Sequence, residues 1–209
     1  MGAAIVAAVT NLAPIAVLSF NRPHYLEPVL ASLAAQKGIE QRAIHFFQDG
    51  AVNRYSGKRW AEDADVEACA DLCRRFFPRG ALHVSPDNIG ICENFRRAEQ
   101  VMFETIDAPV AYFFEDDMVV SRHYLETLDR LYLQIGHVDR IGYFAAYGQH
   151  RLSSTERTAR RRELSQLHHM WAFGLKREHW RDMQRMLAPY YALVCRSDYR
   201  DRPHEAVRP

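Results

Sequence analysis

The sequence predicts an α/β domain: a mostly parallel sheet with helices on both faces and a small, partly antiparallel extension near its carboxyl end. Three observations carry that prediction. Apolar, strand-like runs alternate with helix-like stretches through the first two-thirds of the chain, the order that gives parallel strands joined by crossover helices. Several of these runs are almost continuously apolar, as over residues 14–20 and 108–114, which marks strands buried on both faces. Finally, 209 residues at 48% hydrophobic and 25% charged suit one domain with a real core, and two full domains would be crowded.

The elements follow in order. Residues 14–20 read as the first strand and 25–35 as a helix opened by Pro23, whose fixed φ and missing N–H suit a first helical turn. Residues 43–47 give the second strand and 62–77 the second helix, with Cys69 and Cys73 one turn apart. A third strand is expected at 81–84 and a third helix from about 92 to 106. The fourth strand, 108–114, feeds a helix over 122–135. Beyond Arg140 the pattern changes: 141–147 and 167–175 read as strands around an exposed polar loop at 153–163, and 177–187 as a helix. That later unit is expected to lie on the same sheet, partly antiparallel. No internal repeat or linker marks a second domain.

Charge and cysteine usage narrow the function classes. A net charge of +1 argues against a dedicated nucleic-acid binder, because phosphate backbones select strongly basic faces. The basic residues are mostly Arg, which suits bidentate contacts to phosphate or carboxylate. Cys69, Cys73, Cys92 and Cys195 follow neither a zinc-ribbon nor a thioredoxin spacing, so free thiols in a reducing compartment are expected. Residues 3–20 are mostly apolar, but Thr10, Asn11 and Pro14 interrupt them, and no Lys or Arg precedes them as a signal peptide requires. The expectation is a loosely ordered leader over residues 1–12 and a cytoplasmic location. A membrane anchor or a peripheral membrane contact is the alternative.

The most informative stretch is Tyr112-Phe113-Phe114-Glu115-Asp116-Asp117, an apolar strand that ends in three consecutive carboxylates. Three adjacent anions repel one another, so they must face water or a cation. An all-oxygen donor set suits Mg²⁺ or Mn²⁺, which then grips a phosphate-bearing ligand. Strand carboxyl ends are also where open α/β sheets bind ligands. Three further strand ends would share that edge. They bring Arg22, in Ser19-Phe20-Asn21-Arg22-Pro23; Asp49, before Gly50; and Asn88 with Gly90, in a turn-rich segment whose backbone can approach a ligand closely.

Each piece also has a plainer reading. The acidic run is a solvated turn favoured by a helix dipole, and Asp49-Gly50 an ordinary turn pair. Asn88 and Gly90 terminate a loop, and Arg22 is a solvated helix-start residue. Joint placement at successive strand ends favours a shared site.

On these segments the chain resembles GT-A type nucleotide-sugar glycosyltransferases. It is most similar to the branch containing the N-acetylglucosaminyltransferases of N-glycan and O-mannosyl glycan synthesis, and more distantly to bacterial family 2 enzymes. The resemblance runs through residues 16–26, Phe47-Gln48-Asp49-Gly50, Phe113-Phe114-Glu115-Asp116-Asp117, Met170-Trp171-Ala172-Phe173-Gly174-Leu175 and Asp198-Tyr199-Arg200-Asp201-Arg202-Pro203. It implies a GT-A, Rossmann-like fold with a nucleotide-sugar-binding half over 13–139 and an acceptor-side half over 140–209. It further implies an inverting transfer from a nucleoside diphosphate donor, UDP-linked, to a glycan, lipid-linked or protein hydroxyl.

Residue by residue, the resemblance makes Asp117 the ligand of Mn²⁺ or Mg²⁺, with Glu115 and Asp116 orienting the metal's water shell and the ribose. Arg22 and Asp49 would contact the nucleoside and neighbouring phosphate, with Asn88 and Gly90 beside them. Asp198 is nominated as the base that removes the acceptor proton. Its alternative is a surface Asp among Arg196, Arg200 and Arg202. Trp171 and Phe173 are the acceptor-stacking candidates, and Trp180 is read as core. The run 157–162 reads as a solvated loop, with a phosphate clamp as the alternative.

Two departures from the family pattern qualify this reading. Relatives usually continue past the position of Pro209, so a shortened enzyme, a fragment of a longer polypeptide or a protein with weak turnover is also expected. The Gly-rich acceptor loop of the animal enzymes is replaced by Met170-Trp171-Ala172-Phe173. Two competing functions remain: a nucleotide-sugar or glycan-binding module of the same fold, and a nucleotidyltransferase. The latter usually carries a Gly-rich loop after the first strand, where Ser19-Phe20-Asn21-Arg22 has no glycine.

Overall fold

The structure, a computed structural model, describes residues 12–147, 152–160, 163–202 and 205. Residues 1–11 of the expected leader, residues 161–162 of the 157–162 run and Pro203 lie outside the described residues. Strands β1 (Ile15–Ser19), β2 (Ile44–Gln48), β3 (Ala81–Val84), β4 (Val110–Glu115), β5 (Tyr143–Ala145) and β6 (Phe173–Lys176) form one sheet in the order β3-β2-β1-β4-β6-β5. The first four are mutually parallel, and β6 runs antiparallel to both β4 and β5. The α/β class and the partly antiparallel extension are as the sequence predicts.

Alternation within the central strands decides which helices cover which face. Ile15, Val17, Phe46, Tyr112 and Phe114 pack with Leu26 and Leu30 of α1 (Pro23–Ala34), Cys69 and Leu72 of α2 (Asp63–Phe76), and Leu125 and Leu128 of α4 (Tyr124–Ile135). Ala16, Leu18, Phe47 and Phe113 face the other way. They meet Ala98 of α3 (Gly90–Gln100), Met102 and Phe103 of the π-type turn that prolongs it (Val101–Thr105), and Trp180 of a later helix, Arg177–Val194. Trp180 is core, as expected. Among the described residues no helix is long and apolar enough to cross a membrane.

The second half departs from expectation in four places, the first being that the strand expected at 141–147 is only β5, Tyr143–Ala145. The loop expected at 153–163 contains a helix, α5 (Ser154–Ala159), because Ser153 accepts from the Glu156 amide while the Glu156 side chain reaches back to the Ser153 N–H, a reciprocal cap. The strand expected at 167–175 is shorter: β6 starts only at Phe173, because Ala172 adopts φ +45° and turns the chain there. The following helix, α6 (Arg177–Val194), runs well past Leu187 and continues through Pro189.

Register brings the strand ends together. Leu18 lies opposite Glu115, Ser19 opposite Gln48, and Gln48 opposite Val84. The segments that follow β1, β2, β3 and β4 therefore emerge on one edge.

Candidate functional site

At that edge lies a cavity of about 460 Å³, lined among others by Arg22, Asp49, Asn88, Gly90, Glu115, Asp116 and Asp198. Its floor is fixed by buried polar groups. Gln48 accepts from Ser19 Oγ at 2.7 Å and donates to the Phe20 carbonyl at 2.6 Å, locking the ends of β1 and β2 together.

Asp49 is buried, and both its oxygens are occupied. Oδ1 accepts from the amides of Gly50 (2.9 Å) and Ile89 (2.8 Å); Oδ2 accepts from the Gly90 amide (2.9 Å) and Asn88 Nδ2 (3.0 Å). Four donors fill the four acceptor positions a carboxylate has. The expectation that Asp49 contacts a nucleoside is thus corrected for its carboxylate: it shapes the 87–90 turn and has no lone pair left for a ligand. Burial pushes its carboxyl up against the pull of these amides and of Arg97. Gly90 sits at φ +75°, a conformation that favours glycine, and opens α3 at the cavity wall.

Arg22 immediately precedes α1 and reaches the acidic cluster. Its Nε lies 3.2 Å from Asp116 Oδ2, its Nη2 bonds Asp116 Oδ1, and the same Nη2 is 3.3 Å from Asp117 Oδ2. Burial pushes the Glu115 and Asp116 carboxyls above their usual range. For Glu115 the charges of Asp117 and Asp116 add to that effect, whereas for Asp116 the Arg22 hydrogen bond opposes it. Glu115 and Asp116 line the cavity; Asp117 does not, and its side chain is 36% exposed.

Among the described residues no three His, Cys, Asp or Glu side chains converge as a metal cage. Mg²⁺ and Mn²⁺ at nucleotide sites, however, need only one or two carboxylates, with phosphate oxygens and water completing the shell. The exposed Asp117 carboxylate, with Arg22 Nη2 3.3 Å from its Oδ2, fits that kind of shared coordination and does not fit an all-protein site.

Asp198 closes the opposite wall. It is 3% exposed, so the alternative of a surface aspartate among arginines is excluded. Its Oδ2 accepts from Ser56 Oγ at 2.5 Å and Trp60 Nε1 at 3.1 Å, while Oδ1 is buried with no side-chain donor among the described residues. The Ser56 bond, then that from Trp60, holds its carboxyl below the usual range against the effect of burial, and the Arg200 and Tyr199 amides add to this.

The two acceptor candidates part company. Phe173 is 1% exposed, its ring stacked on Phe113 at 5.4 Å and Phe95 at 6.2 Å between centroids, so it is a core residue with no face to offer a sugar. Trp171 is 42% exposed and packs on His169 (4.7 Å) and Tyr147 (5.4 Å). Because Phe173 pairs with Phe113 and Ala145, Trp171 and Tyr147 lie just beyond that pairing, on the edge that carries Glu115. Trp171 does not line the cavity itself.

Sequence reasoning missed Asn53, Ser56 and Trp60. They lie in a loop between β2 and α2 that carries no motif, and only their contact with residues 88 and 198 reveals them. No protein-family model matches this chain, and a comparison with curated proteins also finds no match.

Proposed function

We propose that the protein is a metal-dependent, inverting glycosyltransferase that moves a sugar from a nucleoside diphosphate donor, UDP-linked, to a hydroxyl acceptor. The observation that carries this reading is one cavity whose walls are a cationic and acidic strand edge on one side and a buried carboxylate, bonded by side chains through one oxygen, on the other. Its volume lies within the range of small-molecule sites.

In this reading the acceptor hydroxyl oxygen attacks the anomeric carbon as the bond from that carbon to the diphosphate oxygen breaks. The bonding pair leaves with the diphosphate, and the hydroxyl proton passes to Asp198 Oδ1. Attack opposite the leaving group inverts the anomeric centre. Arg22 offers a guanidinium to the departing phosphates, Asp117 would hold Mn²⁺ or Mg²⁺, and Glu115 and Asp116 would orient the metal's water shell and the ribose. The ion's contribution is to neutralise the charge that develops on the diphosphate. The backbone of the 87–90 turn, held by Asp49, offers a close approach to the donor.

The test is donor hydrolysis and transfer with and without Mn²⁺, in wild type, Asp117→Ala and Asp198→Asn. Loss of one acidic oxygen at the metal is expected to cost about 10²-fold or more in rate. Equal activity in all proteins and both buffers removes the reading. Tight, Mn²⁺-dependent UDP binding with no transfer to any acceptor replaces it with a nucleotide-sugar-binding module.

A further inference from the structure

Asp198 is held in an unusual, one-sided way. Both of its side-chain donors, Ser56 Oγ and Trp60 Nε1, bond Oδ2, while Oδ1 is buried beside the cavity that Asp198 lines and has no side-chain donor among the described residues. Two side-chain donors on one oxygen, together with the Tyr199 and Arg200 amides of its own segment, restrict how the carboxylate can turn. A buried carboxylate oxygen short of donors is costly, which points to a ligand group as a further partner.

The two donors are themselves referenced to the other wall. Asn53 Oδ1 accepts from the Tyr55 amide (3.0 Å) and the Ser56 amide (3.1 Å), and Asn53 Nδ2 donates to the Asn88 carbonyl at 3.2 Å. Asn88 in turn bonds Asp49. The Trp60 ring is covered by Lys58 Nζ, 3.8 Å from its centroid, and by the Arg200 guanidinium at 5.1 Å. Tyr55 Oη donates to the Cys195 carbonyl, just ahead of Asp198. A continuous hydrogen-bonded path thus runs from the β2 end through the 87–90 turn and the 51–61 loop to Asp198.

We infer that Ser56 and Trp60 are positioning residues that hold the Asp198 carboxylate in place for the acceptor hydroxyl. The inference rests on Asp198 acting as the base in the reading above. Misplacement of a reacting group by about 1 Å is enough to cost about 10²-fold in rate, and loss of one of two anchors is expected to cost about tenfold. The sign for pH is fixed by the chemistry. Both donors favour the carboxylate, so removing either one raises the pKa of Asp198 and moves the acid limb of kcat to higher pH. Other titratable or charged groups surround the site: Tyr199, Arg200 and Arg202 from its own segment, Lys58 on the far side of the Trp60 contact, and Arg22, Asp49, Glu115 and Asp116 along the cavity. Ser56→Ala leaves all of them in place, so their effects cancel in that comparison; Trp60→Phe also changes the ring that Lys58 and Arg200 cover.

The experiment uses the full chain as wild type, Ser56→Ala, Ser56→Thr, Trp60→Phe and Asp198→Asn. Carboxyl ¹³C NMR titrates Asp198 directly, and transfer kinetics with Mn²⁺ and UDP-sugars give kcat, donor KM and the pH profile. Expected are a raised Asp198 pKa in Ser56→Ala and Trp60→Phe and an alkaline move of the acid limb. In both, kcat falls about tenfold with donor KM within about twofold of wild type. Ser56→Thr keeps the hydroxyl and recovers the wild-type profile. An unchanged Asp198 titration in both variants overturns the inference whether or not the protein transfers sugar. Unchanged kcat and acid limb, with Asp198→Asn inactive, overturn it while leaving the transferase reading standing. An active Asp198→Asn sinks the base assignment instead, and the NMR arm still decides the anchoring. Should Trp60→Phe not fold, Ser56→Ala alone carries both arms.

Discussion

Glu99 gives a prediction that can be worked through from burial alone. It sits on α3 at 5% exposure, and its Oε2 accepts from Trp180 Nε1 at 3.2 Å across the α3–α6 contact. Burial pushes its carboxyl up from 4.5 to about 7, with the Trp180 bond and the Arg96 charge only partly opposing. The folded protein therefore holds a proton here that the unfolded chain releases from about pH 4.5 upward. Stability falls as pH rises through that window, and the full cost is present above about 7. A shift from 4.5 to about 7 corresponds to about 3 kcal/mol. Glu99→Gln keeps the acceptor for Trp180 and cannot ionise. Urea unfolding of both proteins at pH 5 and pH 8 should show the variant gaining on wild type by about 2–3 kcal/mol between the two conditions. Titrations elsewhere in the chain cancel in that difference. A gain that is the same at both pH values within about 0.5 kcal/mol refutes the assignment of a buried, neutral Glu99.

Two further outcomes follow from local geometry. A Cβ at Gly50 would lie 2.4 Å from the Asp87 carbonyl carbon, with no flexible side chain to give way. Gly50→Ala should therefore displace the 87–90 turn, lower stability by about 1–3 kcal/mol and weaken UDP binding in calorimetry; unchanged binding would show that the turn does not shape the cavity. Burial pushes the Cys69 and Cys73 thiols up to about 12, whereas a hydrogen bond from Cys92 holds Cys195 below its ordinary value. Limited iodoacetamide treatment near pH 7.5, read by peptide mass mapping, should modify Cys195 first and leave Cys69 and Cys73 intact. Equal labelling of Cys69 would contradict that ordering.

What the sequence made legible follows from how strongly each feature is dictated locally. A near-continuous apolar run such as Ile15–Ser19 can only be a buried strand, and the polar or turn residues after it mark its end. Arg22, Asp49, Asn88, Gly90, Glu115 and Asp116 were legible as one group because parallel strands must place their carboxyl ends on one edge. The saturation of Asp49 was not legible, since it depends on the amides of residues 89 and 90, some forty positions away, converging on one carboxylate. Phe173 and Trp171 show the same limit. Two residues apart, they would share a face in a regular strand, but the φ of +45° at Ala172 sends one into the core and leaves the other exposed. Ser56 and Trp60 have no sequence signature because their partner lies about 140 positions away.

The core also decides which carboxylate Arg22 meets. Phe114 points to the sheet face covered by α1, and Phe113 to the face covered by α3. With a side-chain period of two, Asp116 continues the Phe114 direction and Glu115 the Phe113 direction. Arg22 stands immediately before α1, so Asp116 is the carboxylate within its reach, and it is Asp116 that takes the two-pronged contact. A one-residue slip of β4 against β1 would exchange the two carboxylates, but it would also turn Tyr112, Phe113 and Phe114 to the wrong faces. Burying a side chain of that size contributes roughly 1.5–3 kcal/mol, so the aromatic run outweighs any preference of the carboxylates and fixes the register. The polarity pattern at the site edge is thus set by hydrophobic packing two and three residues upstream. A volume change at Phe113 or Phe114 should therefore disturb the Arg22–Asp116 pair.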